Sequence, residues 1–405
     1  MRTRQRKLNL KTILASFMAT LAAALRAKAQ IVTAQVLYPM QTPTGFTDTF
    51  DSANPQTAAD GQVVGYGFGP VTANSNNALL WSGPSGNAVD LNPTSPSNTY
   101  TASIAYGTNG AQQVGLALDS NLDQDHAMLW AATAASAVDL NPTLLTGFTG
   151  SIAYGISGNG GQQVGLGSTA GGDQALLWSQ TAGSAVDLNP TNLTGFTSSA
   201  AFGTNGSQQV GYGSGSGTSG NDHALLWSGA AGTAVDLNPT LLTGYTNSIA
   251  YGISANGSQQ VGEGSGSGTG SHSHALLWTG TGASAVDLNP TVLTGFSVSY
   301  ANATNGTFQV GYGYGSATGD EAHALLWTGT AASAVDLQTL LPSTGTWIYS
   351  EAYTIDSSGD IYGDAYGTYQ SNTGYFAVEW TAVPEPTSLW VIAGGGLILL
   401  RRRVS

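Results

Sequence analysis

A short apolar motif that ends in tryptophan returns along this chain of 405 residues at a nearly constant interval. The motif is clearest as Ala-Leu-Leu-Trp, and its tryptophans are Trp81, Trp130, Trp178, Trp227, Trp278, Trp327 and, in a degenerate copy, Trp380. Successive tryptophans lie 49, 48, 49, 51, 49 and 53 residues apart. This period is typical of four-stranded propeller blades and is far longer than one turn of a leucine-rich or hexapeptide solenoid. We therefore predict one large repeat domain.

Each repeat contains four short β-like runs separated by turn residues. In the fifth repeat these runs cover residues 248–254, 259–265, 274–280 and 284–288. An Asn-Gly pair, which accepts the positive φ of tight hairpins, separates the first two runs in five repeats. These pairs begin at Asn109, Asn159, Asn205, Asn256 and Asn305. The pattern predicts antiparallel meanders in which the small-residue first run is innermost and the tryptophans fill the space between blades.

The two ends of the repeat array indicate how it closes. The last repeat stops after Trp380 without a fourth run, whereas residues 33–39 resemble the fourth-run motif Ser-Ala-Val-Asp-Leu-Asn-Pro of the other repeats. A ring in which this N-terminal strand completes the last blade explains both observations and leaves no exposed sheet edge at a gap. We predict an all-β fold, a seven-bladed β-propeller of four-stranded antiparallel blades. The alternative is an open β-solenoid.

Charge is distributed unevenly along the chain. All ten Lys and Arg residues lie in the terminal segments, while residues 30–400 contain all 23 acidic residues and no basic one. Nucleic-acid binding is therefore excluded as a function, because affinity for phosphate backbones depends on Lys and Arg. Binding to anionic lipid is disfavoured for the same reason. The chain also has no Cys, which excludes cysteine catalysis and disulfides.

The N-terminus has the pattern of a secretory signal peptide over residues 1–29. A basic stretch precedes an apolar run at residues 12–25, which is short for a membrane span. Ala27, Lys28 and Ala29 then form an Ala-x-Ala cleavage site. We expect a signal helix that is removed, so that the mature chain begins at Gln30. A retained membrane anchor is the alternative.

The C-terminus, residues 382–405, contains a motif, an uncharged segment and a basic cluster in that order. The motif is Val383, Pro384, Glu385 and Pro386, the uncharged segment covers residues 387–400, and the cluster is Arg401, Arg402 and Arg403. This order resembles a PEP-CTERM sorting signal. The resemblance implies the inner-membrane export machinery and an exosortase-type sorting enzyme as partners, and delivery to the cell surface or extracellular matrix.

The apolar segment of this tail is short for its role as an anchor. As a helix its 14 residues would reach only about 21 Å, less than a hydrocarbon core of about 30 Å. The three arginines after it would stay on the cytoplasmic side. We therefore expect a short hydrophobic helix that anchors the chain transiently, and a propeller domain bounded by residues 30–381.

The repeat also resembles the HAF repeat of extracellular bacterial proteins. The matching positions begin at His126, His223, His274 and His323, each followed by Ala and then Leu or Met, within residues 46–380. Leu or Met replaces the Phe of that repeat, and Asn77 and Gln174 replace the His in two copies. The resemblance implies a secreted propeller-like array and no defined activity.

Candidate chemistry is sparse. The repeated histidines, and the aspartates of each Ala-Val-Asp-Leu motif, are interpreted as structural hydrogen-bonding groups, because a residue that recurs in every repeat serves the scaffold. The non-repeated candidate is an acidic loop with the alternating oxygen ligands of a calcium site, namely Asp119, Asn121, Asp123 and Asp125. The match is incomplete, since Gln124 replaces the loop Gly and Trp130 the final Glu. A solvated acidic loop is the alternative, and no cofactor other than Ca²⁺ is expected.

These features favour a secreted, non-enzymatic surface or matrix protein that serves adhesion, biofilm formation or polymer organisation. One alternative is a carbohydrate-active lyase or hydrolase built on the propeller, and another is a module that binds extracellular polysaccharide or a small ligand without catalysis. We expect any binding on the face that carries the loops between second and third strands and the connectors between blades. The main hypothesis rests on the uniformity of the repeat, which shows no evident catalytic constellation.

Overall fold

The computed structural model describes residues 31–51, 57–94 and 100–382. These residues form seven antiparallel sheets arranged as the blades of a β-propeller, which confirms the predicted fold. The open solenoid is excluded, because the first strand of blade 7 contacts blade 1. Residues 34–380 form one compact unit. The predicted signal helix and C-terminal hydrophobic helix lie outside the described residues.

Blades 1 to 3 contain strands β2 to β14. Blade 1 comprises β2 (Asp48–Asp51), β3 (Ala58–Ala59), β4 (Gln62–Phe68), β5 (Asn77–Ser82) and β6 (Ala88–Asp90). Blade 2 comprises β7 (Tyr100–Thr108), β8 (Gln113–Asp119), β9 (Gln124–Trp130) and β10 (Val138–Asp139). Blade 3 comprises β11 (Phe148–Ile156), β12 (Gln163–Thr169), β13 (Gly172–Trp178) and β14 (Val186–Asp187).

Blades 4 to 7 contain the remaining strands. Blade 4 comprises β15 (Phe196–Thr204), β16 (Gln209–Gly215), β17 (His223–Trp227) and β18 (Val235–Asp236). Blade 5 comprises β19 (Tyr245–Ile253), β20 (Gln260–Gly266), β21 (His274–Trp278) and β22 (Val286–Asp287). Blade 6 comprises β23 (Val298–Thr304), β24 (Gln309–Tyr314), β25 (His323–Trp327) and β26 (Val335–Asp336). Blade 7 comprises β27 (Thr346–Ile355), β28 (Ile361–Tyr369), β29 (Asn372–Ala382) and the N-terminal strand β1 (Ile31–Pro39).

The helices of the described residues are single 3₁₀ turns. They cover Pro70–Thr72, Ala134–Ser136, Ala182–Ser184, Ser216–Thr218, Ala231–Thr233, Ser267–Thr269, Gly282–Ser284, Ala331–Ser333 and Gln338–Leu340. Within the described ranges, no helix has the length and apolar character needed to cross a membrane.

Blade 7 takes its outermost strand from the other end of the chain, as predicted from the incomplete last repeat. Its sheet has the order β1-β29-β28-β27. The closure is anchored by Tyr38, whose side chain is buried in a core that includes Tyr353 of blade 7 and Trp81 of blade 1. The Tyr38 hydroxyl donates to the carbonyl oxygens of Gly61 at 2.8 Å and Trp81 at 3.1 Å.

The core lies between the blades, and the repeated tryptophans occupy it. All seven are fully buried, as predicted. In a representative interface, Trp178 of blade 3 packs with Val114 and Leu129 of blade 2. Polar links also join neighbouring blades: between blades 1 and 2 the backbone amide of Ala78 donates to Ser103 Oγ at 2.9 Å, and Ser103 Oγ donates to Asn92 Oδ1 at 2.8 Å. A serine makes the equivalent bond at the six interfaces from blades 1 and 2 to blades 6 and 7, whereas Tyr38 links blades 7 and 1.

A β-bulge interrupts the first strand in six blades, from the second to the seventh. The residues at the bulge are Tyr106, Tyr154, Phe202, Tyr251, Asn302 and Tyr353. The second strand has a glycine next to each bulge; in blade 5 a Cβ on Gly262 would lie 1.9 Å from the carbonyl oxygen of Ile249. Any side chain here would displace the first strand. A bulge redirects the side chain of its extra residue. Because the first strands surround the central axis of the propeller, the bulges determine which side chains line the channel along this axis.

Candidate functional site

Aromatic side chains from four consecutive bulges form a continuous row around the channel. The ring centroids are 5.3 Å apart between Tyr106 and Tyr154, 5.2 Å between Tyr154 and Phe202, and 5.8 Å between Phe202 and Tyr251. All four rings are partly exposed, and the first strands that carry them contact one another around the axis. We call these four residues the aromatic arc. Partly exposed aromatic rings can stack against a bound ligand.

The arc ends at acidic residues that depart from the repeat. The side chain opposite the first strand, on the second strand, is Leu116 in blade 2 and Leu166 in blade 3, but Glu263 in blade 5. In blade 7 both strands depart, because Glu351 lies directly opposite Asp364. We call Glu263, Glu351 and Asp364 the acidic cluster.

Tyrosines hold the acidic cluster in place. The Tyr251 hydroxyl, at the end of the aromatic arc, donates to Glu263 Oε1 at 2.7 Å. Between blades 5 and 7, Tyr300 and Tyr312 stack with centroids 4.8 Å apart and ring planes 23° from parallel. In blade 7 the Tyr349 hydroxyl donates to Asp364 Oδ2 at 3.0 Å. Glu263 and Glu351 are partly exposed, whereas Asp364 is buried.

The charges of Glu263 and Glu351 both act on the phenol of Tyr312. Burial raises the pKa of Tyr312 far above its ordinary value of 10.0, and Glu351 and Glu263 raise it further. Burial likewise raises the pKa of Tyr251 well above 10.0, with Glu263 adding to the effect. These phenols therefore stay neutral at physiological pH. Two carboxylates from blades 5 and 7 thus lie on either side of neutral tyrosines in blade 6.

Glu351 and Asp364 form a close pair of carboxyl groups. Directly opposed residues on antiparallel strands have Cβ atoms about 4.5–5.5 Å apart. Because Asp364 is buried and bound by Tyr349, while Glu351 is partly exposed, only Glu351 of this pair can meet a ligand directly. Asp364 is placed to act on Glu351 as a positioning group.

A row of aspartates accompanies the aromatic arc in blades 2 to 4. Asp125, Asp173 and Asp222 occupy the same position, at or just before the start of the third strand. Each lies close enough to raise the pKa of a channel tyrosine after burial has done so: Asp125 acts on Tyr106, whose pKa is about 12, and Asp222 acts on Tyr212. Blades 5 and 6 have Ser273 and Ala322 at this position. The row is therefore a second departure from the repeat.

The repeated His and Asp residues are structural, as interpreted from the sequence. In four blades a histidine Nδ1 lies 2.9 Å from an aspartate Oδ2 of the fourth strand, and the pairs are His126–Asp139, His223–Asp236, His274–Asp287 and His323–Asp336. In blade 1 the amide of Asn77 donates to Asp90 Oδ2 at 2.8 Å in the same place. Asp90 Oδ1 accepts a hydrogen bond from the backbone amide of Asn92 and so caps the turn.

The predicted calcium ligands do not converge. Leu118 is opposite Asp125, and Asp119 is opposite Gln124, so alternation along the hairpin directs the Asp119 and Asp125 side chains to opposite faces. Asp119 is buried, and its Oδ1 accepts from the amide of Asn121 at 2.8 Å. In the part of the chain that the structure describes, no three His, Cys, Asp or Glu residues are grouped to hold a metal ion. Calcium binding stays a prediction without a formed ligand set.

A cavity of about 290 Å³ opens at the opposite end of the channel, beside the hairpins that join first and second strands. Thr108, Thr204 and Thr304 line it together with Ile156 and Ile253. The threonine hydroxyls already bind protein groups; that of Thr108, for example, donates to Gln62 Oε1 at 3.1 Å. Asp60 and Asp356 also line this end, so it presents carboxyl groups beside the bonded threonines.

Sequence reasoning missed the acidic cluster, although a signal was present. The second strands read Gln-Val-Gly-x-Gly in four blades, with Leu166, Tyr212, Glu263 and Tyr312 at the variable position. A comparison of the repeats at this position isolates Glu263. The predicted signal-cleavage residues Ala27 and Ala29 lie outside the described residues. So do the sorting residues Val383, Pro384, Glu385, Pro386, Arg401, Arg402 and Arg403.

No family model and no curated protein sequence matches the chain. Solved structures do match. Oligogalacturonate lyase from Vibrio parahaemolyticus has a TM-score of 0.49 at 10% identity, over 87% of this chain and 97% of that one. Puromycin hydrolase has a TM-score of 0.48 at 12% identity, over 86% of this chain and 55% of that one. TolB from Acinetobacter baumannii has a TM-score of 0.42 at 13% identity, over 68% of this chain.

The chain spans 62% of the length of that TolB and about half of puromycin hydrolase. At these identities the likeness concerns the fold alone. The hypothesis of a non-enzymatic surface or matrix protein is corrected by the site itself. Its premise was a uniform repeat, but the repeat is not uniform around the channel, where Glu263 and Glu351 stand at the positions of Leu116 and Ile104 in blade 2.

Proposed function

We propose that the protein is a carbohydrate-active propeller that binds a glycan along the aromatic arc and hydrolyses a glycosidic bond at the acidic cluster. The observation that carries the proposal is the position of two partly exposed carboxylates, Glu263 in blade 5 and Glu351 in blade 7, on the two blades that flank Tyr312 of blade 6. Glycosidases use two carboxyl groups that flank the scissile bond. One protonates the leaving oxygen, and the other activates water or attacks the sugar carbon.

The aromatic arc supports a sugar polymer as the ligand. Aromatic rings contribute large rigid surfaces, and three of these four also have a hydroxyl group. The spacing of 5.2 to 5.8 Å between neighbouring rings makes the row continuous over blades 2 to 5. A chain of sugar rings lying along the arc would reach the acidic cluster at Tyr251.

Hydrolysis is favoured over elimination by the charge of the site. Lyases act on uronates, whose carboxylate must be neutralised before the neighbouring proton can leave. The described residues include no Lys or Arg to do so. The carboxylates of the acidic cluster would instead repel a uronate.

Binding without cleavage is the second candidate function. It is favoured by the extent of the aromatic arc, which runs over blades 2 to 5 and so offers a longer surface than one cleavage site at the acidic cluster requires. The two functions differ in the product: a binding module retains the glycan and releases no new reducing end.

The experiment is a reducing-end assay of the full chain on a panel of neutral and amino-sugar oligosaccharides. We expect cleavage of at least one, with kcat lowered about 100-fold or more by Glu351→Gln or Glu263→Gln, as for loss of a general acid or base. Asp60→Asn, at the opposite mouth of the channel, is the matched control and should retain activity. Cleavage that survives both acidic-cluster substitutions would overturn the proposal.

Export and sorting are separate proposals. The signal pattern at residues 1–29 and the motif that begins at Val383 support secretion across the inner membrane and delivery to the cell surface. A substrate at the cell surface or in the extracellular polymer would then be within reach of the propeller. Fractionation of cells that express the chain with and without Arg401, Arg402 and Arg403 tests the role of the tail.

A further inference from the structure

We infer that the glycan carries free amino groups, so that the ligand of the channel is a polymer of glucosamine type and not a neutral or uronic-acid polymer. This inference rests on the proposed function and names the substrate class of the same site. Three features carry it: the partly exposed rings of the aromatic arc, the aspartate row beside them, and the absence of Lys and Arg from residues 30–400.

The rings of the aromatic arc suit a cationic ligand. An ammonium group above the face of a tyrosine or phenylalanine is attracted by the negative face of the ring. Burial raises the pKa of Tyr154 above its ordinary value of 10.0, and Asp173 and Asp125 raise it further. The phenols are therefore neutral hydrogen-bonding groups at physiological pH. Because the arc contains only Tyr and Phe, it has no positive charge that would repel an ammonium group.

The aspartate row supplies counter-charges along the arc. Asp125, Asp173 and Asp222 recur once per blade in blades 2 to 4, the same blades that supply Tyr106, Tyr154 and Phe202. All three are partly or fully exposed. Each of these blades therefore supplies one ring and one carboxylate. An amino-sugar chain that follows the arc would pass both groups once in every blade.

No Lys or Arg side chain neutralises these aspartates. Between residues 30 and 400 the chain has 23 acidic residues and no Lys or Arg. The carboxylates of a uronic-acid polymer would face the aspartates without a counter-charge. Because like charges repel, such a polymer would bind poorly. An amino polymer would neutralise them. Electrostatic complementarity of this kind discriminates among partners and weakens with added salt.

The experiment is calorimetric titration of the full chain with three hexasaccharides: β-1,4-linked glucosamine, its fully N-acetylated form, and galacturonate. We expect the glucosamine hexamer to bind about tenfold or more tightly than the acetylated one and the galacturonate hexamer not to bind, as for complementary and opposed charges. Raising the salt from 50 to 500 mM should reduce the preference, since the Debye length falls to a few ångströms, on the order of 4 Å.

A triple variant, Asp125→Asn, Asp173→Asn and Asp222→Asn, should lose most of the preference for the amino polymer. The charge-matched control is Asp60→Asn, Asp320→Asn and Glu321→Gln, which removes three exposed acids elsewhere and should retain the preference. Equal affinity for the acetylated hexamer, or equal losses in both triple variants, would overturn the inference and leave the proposed function intact. Tight binding of the glucosamine hexamer without cleavage would instead contradict the hydrolytic function and support this inference.

Discussion

The Tyr251 hydroxyl donates a hydrogen bond to Glu263 Oε1 at 2.7 Å and so joins the end of the aromatic arc to the first carboxylate of the acidic cluster. Both residues depend on the geometry of blade 5. Tyr251 lies at a bulge that redirects its side chain, and Glu263 follows the glycine that makes room for this bulge. One local distortion of the strand pair therefore positions an aromatic surface and an acid together.

Tyr251→Phe should lower the free energy of unfolding by about 1 to 2 kcal/mol, because Glu263 loses a charge-assisted hydrogen bond in a partly buried place. In a Glu263→Leu background, which restores the residue type of blades 2 and 3, the same change should cost little. Urea unfolding of the double-mutant cycle measures this difference. Equal costs in both backgrounds would show that the bond contributes nothing.

Tryptophan-to-phenylalanine changes should differ between blades. The buried indole N–H of Trp227 has no hydrogen-bond partner in the described structure, whereas that of Trp380 donates to the carbonyl oxygen of Leu337 at 3.0 Å. Both substitutions lose apolar contact, but Trp380→Phe should cost about 1 kcal/mol more, the net value of one hydrogen bond. Thermal or urea unfolding measures the loss of unfolding free energy in each variant. A larger loss for the Trp227 variant would contradict the stabilising role of the hydrogen bond from Trp380 to Leu337.

The His126–Asp139 pair should make stability depend on pH. Burial opposes protonation of His126, but the hydrogen bond and charge of Asp139 outweigh it and raise the His126 pKa above 6.5. Burial also opposes ionisation of Asp139, yet the bonds from His126 and Asn141 lower its pKa below 3.8. The contribution of His126 to the free energy of unfolding is complete below pH 6.5 and is lost as the pH rises through the raised pKa. The contribution of Asp139 is complete above pH 3.8 and is lost as the pH falls through the lowered pKa.

The variant that tests this is His126→Asn, because Asn77 makes the equivalent bond to Asp90 in blade 1 without a charge. Unfolding free energies measured from pH 5 to 9 should fall more steeply for the natural chain than for His126→Asn. Parallel curves would show that the pair is not protonated in the folded state.

Closure of the ring should depend on Tyr38. Tyr38→Phe removes the donor to the carbonyl oxygens of Gly61 and Trp81 in a buried place, and we expect a loss of about 1 to 2 kcal/mol. Tyr369→Phe, at the partly exposed end of β28 in the same blade, is the control and should change stability little. A chemical denaturation series on both variants decides, and equal effects would argue against a role for Tyr38 in closure.

The architecture could be predicted because it follows from local patterns that repeat. The Asn-Gly turns predict tight hairpins, the period of the tryptophans predicts four-stranded blades, and the incomplete last repeat predicts ring closure. Gly110, Gly160 and Gly206 indeed have the positive φ that such hairpins need. The fourth strands are shorter than predicted, only Val286–Asp287 in blade 5, because the chain turns away at the capped Asn-Pro that follows.

The site could not be predicted in the same way. Tyr106 and its equivalents read as ordinary strand residues, and only the bulge, which depends on packing against the next blade, directs them to the channel. Glu351 and Asp364 lie in the most divergent repeat, so their register was not evident. The calcium interpretation was drawn from spacing alone, and strand alternation separates Asp119 from Asp125.

The measurement that tests the central claim most directly is the mass of the products formed from a cleaved oligosaccharide in water enriched in oxygen-18. Hydrolysis at the acidic cluster predicts one oxygen-18 atom in the new reducing end, and formation of this product that is about 100-fold or more slower with Glu351→Gln. A product without added water would show elimination, and labelled product from Glu351→Gln at the natural rate would place the chemistry elsewhere; either result contradicts the account.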